Sequence, residues 1–449
     1  MAGDDWAECT VGDIAAPHRN ALVGGPFGSD LVSRDYVTQG VPVIRGQNLG
    51  PDRWVAGEFV FVSEEKANRL AANLAEPGDL VFTQRGNAVL HGGQVAVVPS
   101  GSYDRMVVSQ SQMKLTVDPA RVDASFIYYI FKSPAHRDYL RSNAIVTGVP
   151  HTNLSLLRDF PLLLPPLPEQ RAIARILGTL DDKIELIRKM NHTLEALAAA
   201  IFRSWFVDFV PVMAKGALHE PPGTCAGVAA LFPSAFVDSE MGPIPAGWTV
   251  EPLGSIIELV RRVIEPGEYP DEMFDHFSIP AYDDEQQPTV QSGSEIKSAK
   301  FLIPAGSVLI SKLNPETRRV WLPSVSGTHR AIGSTEFLVA VPRMGVSQAY
   351  VYSQLSDPGF HEGFAALATG TTGSRQRAHA DDLLRMPVVV PDRPLAQRFA
   401  EMAGPIFQRI IANRNESRTQ AGMRDLLLPK LLSGEVRIGA AKKAIEAVV

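Results

Sequence analysis

Residues 166–211 repeat apolar side chains at alternating intervals of four and three positions, which is the spacing of a heptad seam. The seam runs for more than four heptads through Ile173, Leu177, Leu180, Ile184, Ile187, Asn191, Leu194, Ala198, Ile201 and Trp205. Asn191 is its one polar member, which is typical of a position that sets helix register. An amphipathic helix packed on a globular core is the alternative, but so strict a period favours a helix–helix seam. At 1.5 Å per residue, about 40 residues would span about 60 Å.

The start of this helix is marked by prolines, because proline fits the first helical turn but not the interior. Pro165, Pro166 and Pro168 precede the seam, and no further proline follows before Asp208. The helix is therefore predicted to begin within this cluster and to run to about Asp208.

A second helix is predicted from about Pro394 to Leu432. Its apolar period is clear at the two ends, at Phe399, Ala403, Ile406, Ile410, Leu427 and Leu431. Its middle is polar (Asn413, Ser417, Gln420, Arg424), and Gly422 and Pro429 weaken a helix. We therefore expect imperfect pairing in the centre of an antiparallel coiled coil, with a globular domain at each end.

The chain contains two copies of one layout. Each copy starts with a tryptophan six residues before a glycine, in WAECTVGDI and in WTVEPLGSI. Three further segments recur in the same order, at 76–85 and 303–312, at 128–136 and 350–360, and at 156–171 and 383–398. Both copies mix short alternating strands with turns and end in a long helix. The pattern predicts an α+β fold with two mixed α/β domains, two long helices and an internal pseudo-two-fold repeat.

The predicted organisation has five parts. They are a first globular domain (1–165), a first long helix (166–211), a linker with the second globular domain (212–393), a second long helix (394–438) and a tail (439–449). Residues 211–247 are rich in proline and glycine and are expected to form a surface linker. The tail is expected to fray.

Composition is that of an ordinary globular protein, with 45% apolar and 20% charged residues among 449. No run of about 18 apolar residues predicts a membrane span, and the acidic N-terminus lacks the apolar region of a secretory signal. Cys9 and Cys225 are too few for a disulfide framework or a cysteine-rich zinc site. We expect a cytoplasmic protein with no membrane contact.

The net charge of −6 argues against non-specific coating of nucleic acid, which needs a broad basic surface. By segment the charge is −3 over 1–165, 0 over 166–211, −7 over 212–395 and +4 over 396–449. Any recognition of DNA must then rest on a few basic loops. The isolated chain is predicted to bind DNA weakly.

Motifs of catalysis are missing from the sequence. It has no phosphate-binding GxxxxGK[ST] or GxGxxG loop, no HExxH and no GxSxG. Residues 314–317 (NPET) lack the aromatic residue that an amino-methyltransferase motif requires. The ten histidines are scattered without metal-ligand spacing. We predict no catalytic and no metal-binding residue, which favours a binding protein over an enzyme.

The globular parts offer polar loops instead. They are residues 24–30, 44–49 and 83–93 in the first copy and 311–321 and 369–379 in the second. Arginine reads guanine edges and asparagine or glutamine reads adenine, whereas solvated loops without a ligand are the alternative. The DNA-binding candidates are Arg45, Gln47, Asn48, Arg85, Asn87, Lys312, Asn314, Arg318, Arg319, Ser374, Arg375, Gln376 and Arg377. The arginines at 318, 319, 375 and 377 fit phosphate contacts or surface ion pairs equally well.

Three segments carry a resemblance to a known family. Residues 164–209 enter through Pro-Leu-Pro-Glu-Gln-Arg and leave through Ser-Trp-Phe-Val-Asp-Phe, and they resemble the central conserved region of the specificity (S) subunits of type I restriction–modification systems. Residues 423–438 (MRDLLLPKLLSGEVRI) resemble the distal conserved region of the same family, and 231–248 resemble the start of its second target-recognition domain. The chain departs from the family pattern in the polar middle of its second helix.

The resemblance implies a non-catalytic DNA-recognition subunit. Each target-recognition domain would read one half of a bipartite double-stranded site, and the helices would space the two domains. It further implies two methyltransferase (M) subunits that use S-adenosylmethionine to methylate adenine, and motor/nuclease (R) subunits that use ATP and Mg²⁺. This chain itself would hold no cofactor.

Other functions remain open on the sequence alone. The chain could serve a related or solitary DNA methyltransferase system, which neighbouring genes would reveal. It could be a coiled-coil structural adaptor, which predicts no sequence-specific DNA binding by its complex. An unrecognised enzyme would show turnover by the purified chain.

Overall fold

The computed structural model describes residues 5–50, 52–91, 93–101, 103–146, 148–221, 223–325, 327–368 and 376–446. The chain divides into two compact units, Met1–Leu186 with Thr419–Val449 and Ile187–Arg418. This division differs from the expected one, because each unit takes half of each long helix together with its globular domain.

The first unit holds two main sheets. A four-stranded sheet has the order β2-β10-β7-β8, a five-stranded sheet has the order β3-β5-β4-β9-β6, and β1 pairs with β11. Within the five-stranded sheet β4 and β9 run parallel. The strands are β1 (Ala7–Thr10), β2 (Leu22–Gly24), β3 (Tyr36–Val37), β4 (Val41–Ile44), β5 (Val60–Val62), β6 (Leu74–Ala75), β7 (Leu80–Thr83), β8 (Val95–Val97), β9 (Met106–Val108), β10 (Gln112–Leu115) and β11 (Pro161–Leu164).

The second unit repeats this plan with one change at a sheet edge. Its strands are β12 (Phe236–Val237), β13 (Ile244–Pro245), β14 (Thr249–Pro252), β15 (Ile257–Leu259), β16 (Val263–Ile264), β17 (Met273–Phe277), β18 (Thr289–Ser292), β19 (Lys300–Leu302), β20 (Val308–Ser311), β21 (Val320–Trp321), β22 (Arg330–Gly333), β23 (Phe337–Pro342) and β24 (Pro387–Val390). The order β15-β23-β20-β21 matches β2-β10-β7-β8, and the parallel pair β17 and β22 matches β4 and β9. The fifth strand of the larger sheet is added at opposite edges, as β3 beside β5 and as β16 beside β19.

Fourteen helices occur in the described part of the chain. They are α1 (Val11–Ile14), α2 (Glu64–Arg69), α3 (Ala124–Lys132), α4 (Pro134–Asn143), α5 (Leu154–Arg158), α6 (Leu167–Phe206), α7 (Val210–Gly216), α8 (Ala226–Ala229), α9 (Ile279–Asp283), α10 (Gln348–Ser356), α11 (Pro358–Ala366), α12 (Ala380–Arg385), α13 (Arg393–Leu432) and α14 (Ile438–Glu446). No single helix among the described residues is long and apolar enough to cross a membrane, while the bent pair α6 and α7 passes by length and composition only.

Equivalent caps in the two copies explain why the same helices form. Ser133 caps α4, and Asp357 caps α11, each through its side-chain oxygen and each followed by a proline in the first helical turn. Such caps satisfy backbone N–H groups that have no partner within the helix. The similar segments 128–136 and 350–360 therefore each contain the start of an equivalent helix.

The helices α6 and α13 pair antiparallel within each unit. In the first unit Leu177 and Leu180 of α6 share a core with Leu427 and Leu431 of α13. In the second unit the rings of Phe202 and Phe399 lie 5.7 Å apart between their centroids. The start of one helix therefore packs on the end of the other, as the seam predicts. Ile173, Ile184, Ile187, Ala198, Trp205, Ala403 and Ile410 are also buried, and Leu194, Ile201 and Ile406 are partly buried against the second unit's core.

The polar middle of α13 does not interrupt the helix, and Asn413, Ser417 and Gln420 are buried. The Asn413 amide donates to Oδ1 of Asn191 over 2.7 Å, so the polar seam residue of α6 meets a polar partner in α13. Buried amides normally have hydrogen bonds, but the Gln420 amide has no partner among the described residues. The pairing in the middle is therefore incomplete, in line with the expectation.

Two further expectations need correction. The segment 211–247 is not a plain surface linker, because it forms α7, α8 and the β12–β13 hairpin and buries Val212 and Phe232 in the second unit's core. The tail is not frayed over its whole length, because α14 places Ala441 in the first unit's core. Apolar burial outweighs the proline and glycine content in the first case and the terminal position in the second.

Phe399 is the residue on which we expect the second unit's stability to depend. Its fully buried ring contacts the rings of Phe202, Trp205, Phe206 and Tyr350. Phe399→Ala should lower the free energy of unfolding by about 3–5 kcal/mol, because it deletes a large core side chain. The measurement is urea denaturation followed by tryptophan fluorescence. Met344→Ala removes a fully exposed side chain of the same unit and should cost less than about 0.5 kcal/mol. Equal losses in the two variants would contradict this assignment of the core.

Candidate nucleic-acid interface

In the first unit, polar loops gather around the short turn 109–111 between β9 and β10, which we call the first hub. The amide of Ser109 donates to the carbonyl of Ile44, at the end of β4. The amide of Gln84, after β7, donates to the carbonyl of Ser111 over 2.7 Å. The amide of Gly25, after β2, donates to the carbonyl of Gln112. Backbone hydrogen bonds therefore bring the loops after β2, β4 and β7 to one place.

The loop after β4 carries three of the candidates, and they differ in availability. Gln47 is exposed and Arg45 is half-buried. Asn48 is 1% exposed, its Oδ1 accepts from the Arg45 amide, and its Nδ2 donates to the carbonyls of Ala56 and Glu58. The assignment of Asn48 to base recognition is therefore wrong, because its side-chain amide already makes hydrogen bonds to the backbone that stabilise this loop.

The loop after β7 exposes Arg85 and Asn87 beside the first hub. Arg85 forms an isolated bridge with His151, and the amide of Gly86 donates to the carbonyl of Pro150. These contacts add Ile145, Pro150 and His151 to the same surface. Within the part of the chain that the structure describes, neither Arg45 nor Arg85 forms an ion pair, so both cations are available to an anionic ligand.

Sequence reasoning missed the first hub itself. Ser109, Gln110 and Ser111 are partly exposed and polar. The signal was present in the sequence, since 109–112 (SQSQ) is a polar run between two apolar runs.

In the second unit, the equivalent turn 334–336 between β22 and β23 forms the second hub. The amide of Ser334 donates to the carbonyl of Phe277 at the end of β17, and the amide of Lys312, after β20, donates to the carbonyl of Glu336. These two bonds match those of Ser109 and Gln84 in the first unit. The same frame is thus built twice.

Four of the second-copy candidates meet at the second hub. Leu313 bridges to Arg377, and the amide of Asn314 donates to the carbonyl of Gln376 over 2.8 Å. Lys312, Asn314, Gln376 and Arg377 are thereby adjacent. Asn314 has a φ of 46°, a left-handed conformation that asparagine tolerates better than most residues. Ser374 and Arg375 lie outside the described residues.

Acidic neighbours hold two of the second-copy arginines. Arg319 forms a two-pronged pair with Asp283 at 2.7 and 3.0 Å, and Arg377 forms another with Glu336 at 3.0 and 2.7 Å. Both arginines therefore form ion pairs, each of which engages two of the five guanidinium donors. Arg318 is exposed and donates one hydrogen bond, to the carbonyl of Ser356.

Arg262 is a further residue that sequence reasoning missed. It directly follows Arg261, whose guanidinium pairs with Asp381 over 3.2 Å. Arg262 is exposed, and its side chain has no ion-pair partner among the described residues. The Arg-Arg step at the end of an apolar strand, LVRR (259–262), was the available signal.

Polar contacts fix the first recognition domain on its half of the helical pair. The hydroxyl of Tyr129 donates to Asp181 of α6 over 2.7 Å, and Arg424 of α13 pairs with the same carboxylate over 2.9 Å. Burial, together with Asp181, raises the pKa of Tyr129, so its hydroxyl keeps the proton that it donates. One carboxylate therefore joins the domain to both helices.

The second domain is fixed on its own half by different contacts. Arg414 of α13 pairs with Glu195 of α6 over 2.8 Å, and Nε2 of Gln287 donates to the carbonyl of Arg414. Arg188 of α6 pairs with Glu285. In the described parts of the chain, no group of three or more His, Cys, Asp or Glu residues could hold a metal ion. The arrangement offers hydrogen-bond donors and cations on loops held by a firm frame, which suits recognition.

Comparisons with known proteins show which family and which structures the chain is similar to. Residues 4–196 match the family described as "Type I restriction modification DNA specificity domain". The match covers the first globular domain and most of α6, which is less than half of the chain.

Two curated relatives match along nearly the whole chain. The type I restriction enzyme MjaIX specificity subunit of Methanocaldococcus jannaschii is 24% identical, over 97% of this chain and 94% of that protein. The type I restriction enzyme HindI specificity subunit of Haemophilus influenzae is 23% identical, over 96% and 100%. The crystal structure of a type I restriction–modification S subunit from M. genitalium superposes with a TM-score of 0.53 at 14% identity, over 96% of this chain and 97% of that one, and it supports the fold.

The Arg377–Glu336 pair gives the second hub a stability that depends on pH. Hydrogen bonding from Arg377 holds the pKa of Glu336 below its usual value. A lowered carboxyl pKa stabilises the folded state fully above the unfolded value of about 4.3, and the effect is lost as pH falls through the folded-state pKa. Wild type should therefore be more stable than Glu336→Gln at pH 7, and the difference should shrink as the pH falls below about 4.3. Urea denaturation across this range measures it.

The matched control is Glu258→Gln, since the Glu258 carboxylate is largely exposed and lies 4.0 Å from Arg343. An exposed pair at that distance contributes little, so this variant should follow wild type at every pH. A Glu336→Gln difference that persists unchanged at pH 3 would refute the role given to the pair.

Proposed function

We propose that this chain is the specificity subunit of a type I restriction–modification system. It would bind a bipartite double-stranded DNA site, with the first hub reading one half-site and the second hub reading the other. The observation that carries the proposal is the repeated frame: matching backbone bonds at Ser109 and Ser334 present a polar loop cluster once in each unit. Base edges are read by such side chains in the major groove.

Within this proposal the chain works as the scaffold of a larger complex in the cytoplasm. Two methyltransferase subunits, which use S-adenosylmethionine, would methylate adenine in the site that this chain selects. Motor/nuclease subunits, which use ATP and Mg²⁺, would join for restriction. The net charge of −6 supports this division of labour, because tight DNA binding then requires partners that enclose the duplex.

Mapping of methylated adenines tests the function directly. A host that expresses the chain with its methyltransferase partner should methylate one bipartite motif, and deletion of the chain should abolish that methylation. Methylation that is unchanged without the chain would refute the proposal. A structural adaptor without a DNA role predicts that same negative result, so the experiment decides between the two functions.

Arg45 and Arg85 are the strongest candidates for contacts in the first half-site, because both are accessible and neither forms an ion pair among the described residues. Alanine at a base contact should relax specificity at one position by ~1–3 kcal/mol, whereas alanine at a phosphate contact should weaken all sequences alike. Selection from a randomised duplex library by the complete complex measures both. Arg69→Ala is the control, because Arg69 is exposed like Arg85 but pairs with Glu65 on α2. An altered motif in the control alone would contradict this placement of the interface.

The helices are proposed to set the spacing between the half-sites. The boundary between the two units falls after Leu186 in α6 and after Arg418 in α13. Insertion of one heptad after Leu186 and one after Arg418 keeps the seam and every contact within each unit. The spacer of the methylated motif should lengthen by about three base pairs, since seven residues add ~10 Å. Both half-site sequences should remain the same.

A four-residue insertion after Leu186 alone is the control for this spacing test. It breaks the heptad period in one helix, so the protein should lose stability and not gain a new motif. An unchanged spacer in the doubly lengthened variant would show that the helices do not set it.

A further inference from the structure

Phe27 is an apolar side chain that the fold leaves in solvent beside the first hub. It is 83% exposed, at the tip of the loop that follows β2. Scattered exposed apolar residues are normal on a protein surface and need no explanation by themselves. The way in which this loop is held distinguishes Phe27 from them.

The loop backbone contacts the first hub on both sides of Phe27. On one side, a Cβ added to Gly25 would lie 1.9 Å from the carbonyl oxygen of Ser109, so the loop backbone lies directly against the first hub. On the other side, Nε2 of Gln110 donates to the carbonyls of Gly28 and Leu31. Gly28 has a φ of 50°, a left-handed turn that glycine adopts without strain. The fold therefore presents an aromatic ring on a braced loop.

Phe27 lies close to the loops whose side chains are proposed to read bases. The turn that holds its loop, at Ser109 and Gln110, is the same turn that holds the loops of Arg45 and Arg85. These neighbours are polar or cationic. The neighbouring loop adds three exposed apolar side chains, those of Ile145, Val146 and Val149, so the surface combines apolar groups with polar and cationic ones. A DNA base edge presents the same combination, because the thymine methyl group lies beside hydrogen-bonding atoms.

We infer that Phe27 is a specificity-determining residue that packs against the 5-methyl group of a thymine in the first half-site. This inference rests on the proposed function and adds the apolar part of the readout. In the major groove the thymine methyl is the apolar feature that distinguishes thymine from cytosine, and phenylalanine is among the side chains that contact it. Polar neighbours on the same turn would meet the adjacent base edges.

The experiment uses the complete complex of this chain with its methyltransferase partner and a duplex that carries the mapped motif. Each thymine of the first half-site is replaced in turn by uracil, which lacks only the methyl group. Wild type should lose roughly fourfold in affinity at one position, as expected for one buried methyl group. Phe27→Ala should bind the thymine and uracil duplexes equally at that position.

Two further variants serve as controls. Phe27→Leu keeps an apolar side chain and should retain part of the preference for thymine. Met344→Ala removes a fully exposed apolar residue of the second unit and should show the wild-type preference in the first half-site.

The outcomes separate the inference from the function on which it rests. If wild type selects the motif but shows no uracil effect at any position, or if Phe27→Ala keeps that effect, the inference is overturned and the proposed function stands. Loss of methyltransferase co-purification in Phe27→Ala would assign the residue to a protein interface and would likewise overturn it. A wild-type complex that selects no DNA sequence would overturn the proposed function itself.

Discussion

The buried seam between α6 and α13 is the constraint on which both units depend. The core of the first unit contains Leu427 and Leu431, which lie more than two hundred residues after the domain that they complete. The hydrogen bond between Asn191 and Asn413 fixes how the two helices align. A slip of the helices would leave the buried Asn413 amide without this partner, at a cost of about 1–3 kcal/mol. This pair therefore favours one register of the two helices in the second unit.

Most of the frame could be predicted from the sequence, because its signals are periodic and local. Three local signals agree with the structure. They are the heptad spacing, the proline cluster around Leu167 and the repeated helix starts at Ser133 and Asp357. The polar middle of α13 could not be read in this way. Asn413 looks unfavourable on its own helix, and only pairing with Asn191 over a long sequence separation makes it favourable. The segment 211–247 was misjudged for the same reason, since its burial depends on distant partners.

The candidate site was harder to predict because residue type alone does not reveal how a side chain is engaged. Asn48 and Gln47 are neighbours with similar chemistry, yet the first holds the loop and the second faces solvent. Arg319 and Arg262 are both surface arginines, but an acidic partner 36 positions earlier occupies the first. The backbone frame around each hub brings such residues together through single hydrogen bonds between distant strands, and no local pattern encodes them.

The two hubs share a backbone frame and differ in the side chains on it. At the first hub the middle residue of the turn is Gln110, and the nearby cations Arg45 and Arg85 have no ion-pair partner among the described residues. At the second hub the turn ends in Glu336, which takes up Arg377. Palindromic DNA sites mirror protein subunits that are identical, and here one chain supplies two unlike surfaces. A subunit built in this way should read two different half-sequences, so the internal repeat provides a common frame without imposing symmetry on the DNA.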